Sequence, residues 1–319
     1  MDNAKIISCS LADIDFADLT FPFSYGSCPA RLEKSIISAG LLQPPLLTAG
    51  ENGFRIVCGR RRLELLRKLA GDSGEKVEIS AGFAENHNLS ELFRRALWEN
   101  LAIREFNLVE TADIYVAALE FFTKNEIEKE IMPALKLPLR PRFRERCQAI
   151  AGFSRNLRDL LAAGSVDAEA VDLIKEWSAD ERSALIDLVV ESGLRRNKLR
   201  EVVGRLDDLA RRDQVSPLEL LAVARQTALD EAGKIDVELL RRQLKARLYP
   251  QLTAAHLEFV ARQEKFPWLS RFHLEPPPDF EGGEFRFSFT FTSAKEWQET
   301  CAKLSAVDLE NIDELCRRG

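Results

Sequence analysis

The chain lacks any long apolar segment, because no run approaches the roughly 20 residues that a membrane-spanning helix needs. Its first residues also lack the basic region followed by an apolar stretch that marks a secretory signal. Histidine is scarce, with three residues, and the six cysteines form no CxxC pair, which argues against a structural zinc site. We therefore expect a cytoplasmic protein with reduced thiols and no membrane partner.

A surplus of basic residues is also missing, since 45 Lys and Arg are outnumbered by 51 Asp and Glu. A formal net charge of -6 is not typical of a general nucleic-acid binder, but a total conceals local clustering. One short segment with few acids is strongly basic. Its basic residues are Lys136, Arg140, Arg142, Arg144, Arg146, Arg155 and Arg158. If the chain binds DNA, we expect the contact to lie there.

The most informative stretch is 54–70, where a short apolar strand turns at Gly59 into Arg60, Arg61 and Arg62. The first N-H groups of a helix have no intrahelical partner, and the helix dipole places positive charge at the same end. Three arginines there oppose the dipole, and a bound anion relieves that conflict. The pattern therefore predicts a phosphate site, although a solvated basic turn stays open as the alternative for these residues alone.

The order of the predicted elements indicates an α+β protein with several domains. Strand patterns at 6–7, 46–47, 55–58 and 77–79 alternate with helical patterns at 30–39, 60–70 and 90–101. Asn107 and Glu110 then form a capping signal for a further helix. We predict a small mixed-sheet domain at 1–118, an all-helical domain at 119–212, and a helical linker with a small strand-helix unit at 213–319.

The last part of the chain contains a phenylalanine stripe of period two, formed by Phe285, Phe287, Phe289 and Phe291. Alternation with polar residues is typical of a half-buried strand. The stripe is either core or a strand-mediated subunit interface, because an exposed phenylalanine face is costly. We expect a homodimer if the second reading holds.

Three separated segments, in this order, resemble the ParB family of bacterial chromosome and plasmid partition proteins. LEKSIISAGLLQPPLL at 32–47 is similar to that family's "L..SI...G..QP..V" segment, and GRRR at 59–62 is similar to its GERR box. ENLAIREFNL at 99–108 resembles the ENLQRxxLNPxE signature. The stretch 146–209 resembles the helical middle of the family, which contains a helix-turn-helix. The resemblance implies a ParB/sulfiredoxin-like N-terminal domain at 1–118.

What the resemblance implies for the site is a clamp that binds CTP with Mg²⁺. The implied nucleotide-binding residues are Gln43, Gly59, Arg60, Arg61, Arg62 and Asn100, and Glu99 is the implied catalytic residue, with Glu99 and Asn100 as metal ligands. A helix C-terminal cap is the alternative role for the last two. The acid of the GERR box is Arg60 here, and the arginine that the family carries ahead of its first helix is missing from 21–24. Weak CTPase activity and the identity of the nucleotide are therefore left open.

The basic segment is where a helix-turn-helix would lie. Its first helix is predicted near 126–132 and its recognition helix at 141–151, where Pro141 suits the first helical position. Helical spacing places Arg142 and Arg146 on one flank of that helix and Arg144 on the other. The predicted DNA-binding residues are Arg140, Arg142, Arg144, Arg146 and Arg155. A solvated arginine face on a helical domain is the alternative.

These features lead to three functional hypotheses. The first is a nucleotide-gated DNA-binding protein, dimeric and nucleoid-associated, that serves partition, DNA-locus organisation or transcriptional regulation, with a partition ATPase as a further partner. The second is an enzyme of the same superfamily, such as a nucleotide-dependent small-molecule kinase. A sulfiredoxin-like reductase is disfavoured, because Cys58 precedes Gly59 and the sulfiredoxin motif has its cysteine after the turn glycine. The third is a degenerate, non-hydrolysing scaffold.

Overall fold

The computed structural model describes residues 5–26, 28–71, 77–85, 88–265, 272–281 and 284–305. The chain forms two compact units, Met1–Gly204 and Arg205–Gly319. The division falls within a helix that runs from Arg196 to Asp213. The predicted boundaries at 118 and 212 follow the sequence pattern and stay predictions.

The first unit begins with a five-stranded sheet and three helices. Its elements are β1 (Lys5–Ser10), β2 (Ile14–Asp15), α1 (Ala30–Ala39), β3 (Leu46–Ala49), β4 (Phe54–Cys58), α2 (Arg60–Ala70), β5 (Glu78–Ala84) and α3 (Leu89–Leu101). The strand order is β1-β5-β3-β4-β2. β1 pairs with β5 and β3 with β4 in antiparallel fashion, whereas β5 with β3 and β4 with β2 are parallel. The predicted mixed sheet and the α+β class are confirmed.

One face of this sheet holds the apolar core that fixes α2. Leu47 of β3, Ile56 of β4 and Leu63 of α2 are almost completely buried in one cluster. Leu66 packs against the same cluster one turn after Leu63. The cluster holds the first turn of α2 beside the ends of β3 and β4, which positions the arginines that follow Gly59.

The rest of the first unit is helical. Its helices are α4 (Leu108–Phe121), α5 (Lys124–Glu126), α6 (Met132–Ala134), α7 (Pro141–Ala151), α8 (Arg155–Ala162), α9 (Ala168–Ile174) and α10 (Ala179–Ser192), and α11 (Arg196–Asp213) begins in it. The Asn107 side chain and the Glu110 carboxylate form the predicted capping box at the start of α4. The predicted helix at 141–151 is α7, with Pro141 in its first turn.

The helix predicted near 126–132 differs in detail from the observed structure. α5 and α6 each have three residues and are joined by a π-helical turn at Ile127–Ile131. Ile131 and Met132 are completely buried there, so the wide turn keeps both side chains in the core. The docking of this pair of helices on DNA stays a prediction.

The second unit contains α12 (Pro217–Thr227), α13 (Val237–Leu248), α14 (Pro250–Glu264), β6 (His273–Glu275), β7 (Arg286–Ser288) and α15 (Ala294–Ser305). β6 and β7 form an antiparallel pair. The phenylalanine strand is shorter than its pattern predicts, and Phe287, Phe291 and Trp297 are 38 to 50% exposed. Their role in a dimer stays a prediction. In the parts of the chain that the structure describes, every helix is too short or too polar to cross a membrane.

Candidate functional site

The turn at Gly59 has a backbone conformation that disfavours any residue with a Cβ. Its φ is 92°, in the left-handed region that residues with a Cβ avoid. A Cβ at this position would lie 3.0 Å from the Pro45 Cβ. The backbone amides of Arg62 and Leu63 donate to the Gly59 oxygen, whereas those of Arg60 and Arg61 have no partner among the described residues. In the part of the chain that the structure describes, two N-H groups at the start of α2 therefore lack a partner.

Arg62 joins three of the predicted segments at this turn. One of its Nη1 hydrogens is donated to the backbone oxygen of Gln43. Burial lowers the pKa of Arg62, and the charge of Glu99 on α3 opposes that shift. The charge of Glu99 also contributes to the raised pKa of the Cys58 thiol, immediately before Gly59. The structure thus places Gln43, Arg62 and Glu99 near the glycine turn, and their role in binding a nucleotide stays a prediction.

Cys58 is not suited to nucleophilic chemistry in this setting. Its side chain closes β4 and is only 4% exposed. Burial raises the pKa of the Cys58 thiol well above its ordinary value, the Glu99 carboxylate adds to the rise, and the charges of Arg95 and Arg62 oppose it. The thiol is therefore protonated at neutral pH, whereas a reductase needs a thiolate.

Arg61 turns the other way and binds a buried carboxylate. Its Nη2 donates to Glu110 Oε1 at 2.7 Å and to the Tyr25 backbone oxygen at 3.1 Å. Glu110 is 1% exposed. Its Oε1 also accepts from the Tyr25 amide at 3.0 Å, and its Oε2 accepts from Arg104 at 2.7 Å and the Asn107 amide at 3.0 Å. Each oxygen of this carboxylate therefore has two donors.

Glu110 is the functional-site residue that sequence reasoning missed. The Asn107 pattern assigns it only a capping role, which explains one of its four hydrogen bonds. The contact with Arg61 spans 49 positions of the chain, and no local pattern indicates it. In the sequence, Glu110 occupies the position of the last acid in the quoted ENLQRxxLNPxE signature.

Arg60 anchors a loop instead of facing a ligand. The side chain is almost completely buried, and its Nη1 donates to the Phe16 backbone oxygen at 2.9 Å. Its Nη2 donates to the backbone oxygen of Asp18, and Glu64 Oε1 lies 3.7 Å from Nη1. Burial lowers the pKa of Arg60, and the charges of Glu64 and Asp18 oppose the shift. Its guanidinium is therefore not available for the predicted phosphate contact.

The two residues predicted as metal ligands lie in the last turn of α3. Asn100 Nδ2 donates to the Ala96 oxygen at 2.9 Å, which leaves the Oδ1 oxygen for another partner. The Asn100 main-chain oxygen accepts from Ile103 and Arg104, so a C-terminal capping role holds for its backbone. The described residues contain no group of three potential ligands among His, Cys, Asp and Glu. The Glu99 carboxylate and the Asn100 Oδ1 are oxygens of the kind that Mg²⁺ prefers, and their role as metal ligands stays a prediction.

The predicted DNA-binding arginines differ in exposure. Arg146 is 7% exposed and binds Asp172 through Nε at 2.9 Å and through Nη2. Arg142 binds the same carboxylate from the solvent side, and Arg144 Nη2 donates to Glu128 Oε1 at 2.7 Å. The predicted flanks of α7 are thus observed. The Arg146 guanidinium is not presented to solvent, so the DNA contact predicted for it requires this ion pair to open.

Arg140 and Arg155 are exposed cations. Arg140 immediately precedes α7, and Arg155 is the first residue of α8. Both side chains are exposed and make no ion pair within the described part of the chain. Together with Arg142, whose side chain is 59% exposed, they are the predicted DNA contacts that remain accessible.

Tyr25 connects the phosphate turn with α8. Its amide binds Glu110, and its hydroxyl donates to Asp159 Oδ1 at 2.9 Å. The Arg158 guanidinium lies over the Tyr25 ring, 4.7 Å from the centroid, and binds Asp113 of α4. Burial raises the pKa of Asp113 to about 6, and the charge of Arg158 opposes the shift. A continuous set of contacts thus runs from Glu110, the partner of Arg61, to α8 at the end of the predicted DNA-binding segment.

Comparison with known proteins gives structural matches only. No family model matches the chain, and no curated protein matches its sequence. One solved structure that resembles it is the C-terminally truncated chromosome-partitioning protein ParB from Caulobacter crescentus complexed with CTP-gamma-S, with 16% identity and a TM-score of 0.25 over 59% of this chain and 99% of that one. The same truncated protein complexed to the centromeric parS site matches with 15% identity and a TM-score of 0.31 over 62% of this chain and 99% of that one.

Proposed function

We propose that this chain binds CTP at the start of α2 and uses the bound nucleotide to control its binding to DNA. The observation that carries the proposal is the meeting of Gln43, Gly59, Arg62 and Glu99 at one turn, although they come from three separate segments of the sequence. The same three segments are those that resemble the ParB family. Geometry and motif order therefore support the same site.

The phosphates have a defined place in this proposal. The unpartnered amides of Arg60 and Arg61 are donors for phosphate oxygens, and Gly59 lets the phosphate approach the backbone closely. Arg62 adds a charge-assisted hydrogen bond. Glu99 and Asn100 are the residues that would hold Mg²⁺, which would supply charge neutralisation at the phosphates. This proposal does not assign hydrolysis of the nucleotide. Arg60 stands where the GERR box has an acid, and its side chain binds the loop at 16–18.

DNA binding is assigned to the exposed arginines near α7 and α8. Arg140, Arg142 and Arg155 are the accessible cations of the predicted helix-turn-helix segment. Their first role is to neutralise phosphates, which fixes the protein on the duplex and makes its affinity depend on salt. The protein would act as a nucleoid-associated homodimer in partition, locus organisation or regulation, with a partition ATPase as a further partner.

Isothermal titration of CTP with Mg²⁺ into the full chain tests the site. We expect binding to the natural sequence and a loss of about tenfold or more with Arg62→Ala, because one charge-assisted hydrogen bond is removed. Lys68→Ala is the matched control, since Lys68 is an exposed cation in the last turn of the same helix. Equal CTP binding by the natural protein and by Arg62→Ala would show that the nucleotide binds elsewhere. No binding of CTP by either protein would contradict the proposed site.

A second candidate function is a scaffold that has kept the fold and lost the nucleotide. The observation that favours it is the engagement of all three turn arginines with protein groups. A thermal shift with CTP, ATP and GTP, each with Mg²⁺, separates the two candidates. A ligand at 100 times its Kd adds about 2.7 kcal/mol of stability, whereas no shift with any of the three nucleotides favours the scaffold.

A further inference from the structure

We propose that Asp172 of α9 and Lys175, directly after it, are positioning residues that hold Arg142 and Glu145 of α7 in place to read base edges in DNA. The proposal rests on the proposed DNA-binding function and names the residues that would give it sequence preference. The basic segment of the sequence indicates neither positioning residue, because both follow Arg158. The fold brings them to α7, since α9 packs against that helix.

The first step concerns the exposed side of α7. Arg142, Glu145 and Gln148 are exposed and lie within an arc of about 120° around the helix axis. Cys147 and Ile150, on the opposite side of the helix, are buried. A recognition helix presents such an exposed side to the major groove. Arg, Glu and Gln are the side-chain types that pair there with guanine, cytosine and adenine.

The second step is the contact between Asp172 and Arg142. The Asp172 side chain is 12% exposed, and its Oδ2 binds Nε and Nη2 of Arg142, whose side chain is 59% exposed. The same carboxylate binds Nε and Nη2 of buried Arg146. Two positive charges and one negative charge leave a net positive charge, so the group still attracts DNA.

This contact uses one edge of the Arg142 guanidinium. The hydrogens at its tip, on Nη1 and Nη2, are left for another partner, and this fork is the one that pairs with O6 and N7 of guanine. A side chain that is already fixed loses less conformational freedom when it binds. Asp172 therefore orients Arg142 for base recognition while the tip of its side chain stays accessible.

The third step is a second contact of the same kind, three residues further along both segments. Lys175 Nζ donates to Glu145 Oε2 at 2.5 Å. The Lys175 side chain is 19% exposed and that of Glu145 is 54% exposed, so the acid is held from the protein side and stays accessible. The lysine charge also offsets the repulsion between Glu145 and the DNA phosphates. Two ion pairs from one segment thus support two neighbouring positions on the exposed side of α7.

Selection of DNA by the full chain, from duplexes with a randomised centre and with or without CTP and Mg²⁺, tests the assignment. Arg142→Lys keeps the charge but lacks the fork, so it should lose about tenfold or more of the base preference at one position. Its affinity for the unselected duplexes should stay unchanged. Asp172→Asn should lose the same preference without losing affinity for the unselected duplexes, because a negative charge is removed. Adding Asp172→Asn to Arg142→Lys should cause no further loss of preference there.

Further variants separate positioning from stability. Asp172→Glu keeps a charge beside buried Arg146 but moves the carboxylate by one methylene, so it should fold and still lose the preference. Lys175→Gln should weaken the preference at a neighbouring base pair. Glu128→Gln is the matched control, because Glu128 binds Arg144 on the other flank of α7 at 2.7 Å. It should select the same sequence as the natural protein.

Three results would overturn the inference, and they are distinguishable. If Arg142→Lys changes the selected sequence while Asp172→Glu and Lys175→Gln keep it, Arg142 reads DNA without support from α9. If the natural chain binds the duplexes but enriches no sequence, DNA binding stands and the base-reading role fails. If the natural chain binds no duplex under either condition, the proposed DNA-binding function fails and the inference fails with it.

Discussion

Replacement of Glu110 by glutamine tests the most heavily bonded side chain of the site. Glutamine keeps the size of the side chain and one acceptor oxygen, but it removes the charge and places an amide N-H₂ where a carboxylate oxygen was. That group would face two donors, either Arg61 with the Tyr25 amide or Arg104 with the Asn107 amide. Two guanidinium groups would then lose their carboxylate.

The expected loss of stability in Glu110→Gln follows from the burial of Glu110 and its two arginine partners. Glu110 is 1% exposed, and the side chains of Arg61 and Arg104 are 16% and 23% exposed. Removal of one partner from a buried ion pair costs about 3 to 5 kcal/mol, because the remaining charge stays desolvated. The first unit spans 204 residues. For a unit of this size, that loss lowers the unfolding temperature by about 6 to 20 °C.

Urea and thermal unfolding of the full chain, followed by circular dichroism, measure the effect. Glu126→Gln is the matched control, because Glu126 also completes a capping box and binds an arginine, Arg94 at 2.9 Å. Its side chain is 40% exposed, so we expect a much smaller loss of stability than for Glu110→Gln, because water screens an exposed ion pair. If Glu110→Gln unfolds within about 0.5 kcal/mol of the natural protein, the Glu110 contacts do not stabilise the site as argued.

Three further predictions concern other parts of the first unit. Arg146→Ala should lower the free energy of unfolding by about 1.5 to 3 kcal/mol, because its contacts with Asp172 are lost. Arg140→Ala should leave the free energy of unfolding unchanged. It should instead reduce the slope of log K for DNA binding against log salt concentration by about 0.9. Gly59→Ala should cost about 1 to 3 kcal/mol, because its φ of 92° is strained for alanine. Relative to Asp113→Asn, the natural protein should lose stability as the pH rises from about 4 to about 6, because the raised pKa makes the folded state bind more protons.

Each of these predictions has a contrary result. Equal unfolding midpoints for Arg146→Ala and Arg140→Ala would contradict the buried ion pair. A Gly59→Ala variant as stable as the natural protein would show that the turn relaxes without cost. A constant stability difference between the natural protein and Asp113→Asn from pH 4 to pH 8 would mean that the pKa of Asp113 is not raised by folding.

Local sequence signals account for much of the fold. α1, α2 and α7 have the bounds that the sequence predicts, because Gly59, Pro141 and the glycines after α1 and α2 mark helix ends through the backbone alone. The sequence does not predict β2, because two residues are too few to show a periodic pattern. β2 is a strand because it pairs with β4 in parallel fashion. Short elements of this kind depend on contacts between residues that are distant in sequence.

The candidate site also combines features that the sequence predicts with features that depend on contacts distant in sequence. Motif order predicts which segments meet at Gly59, but it does not predict which way each arginine points. The apolar residues of α2 are also not all buried alike, since Leu69 is 51% exposed and Leu65 is buried. α2 contacts α1 as well as the sheet, and one apolar stripe does not indicate a second covered face. Similarly, Arg146 looks like a DNA contact until Asp172, 26 positions later, is placed beside it.

Hydrogen exchange of the α2 amides upon addition of CTP and Mg²⁺ is the most direct test of the central claim. The amides of Arg60 and Arg61 have no partner among the described residues, so they should exchange rapidly in the free protein. We predict that saturating CTP protects the segment 59–63 and leaves the last turn of α2, around Lys68, unchanged. Calorimetric binding of CTP with no protection at 59–63, or no binding at all, would contradict the account.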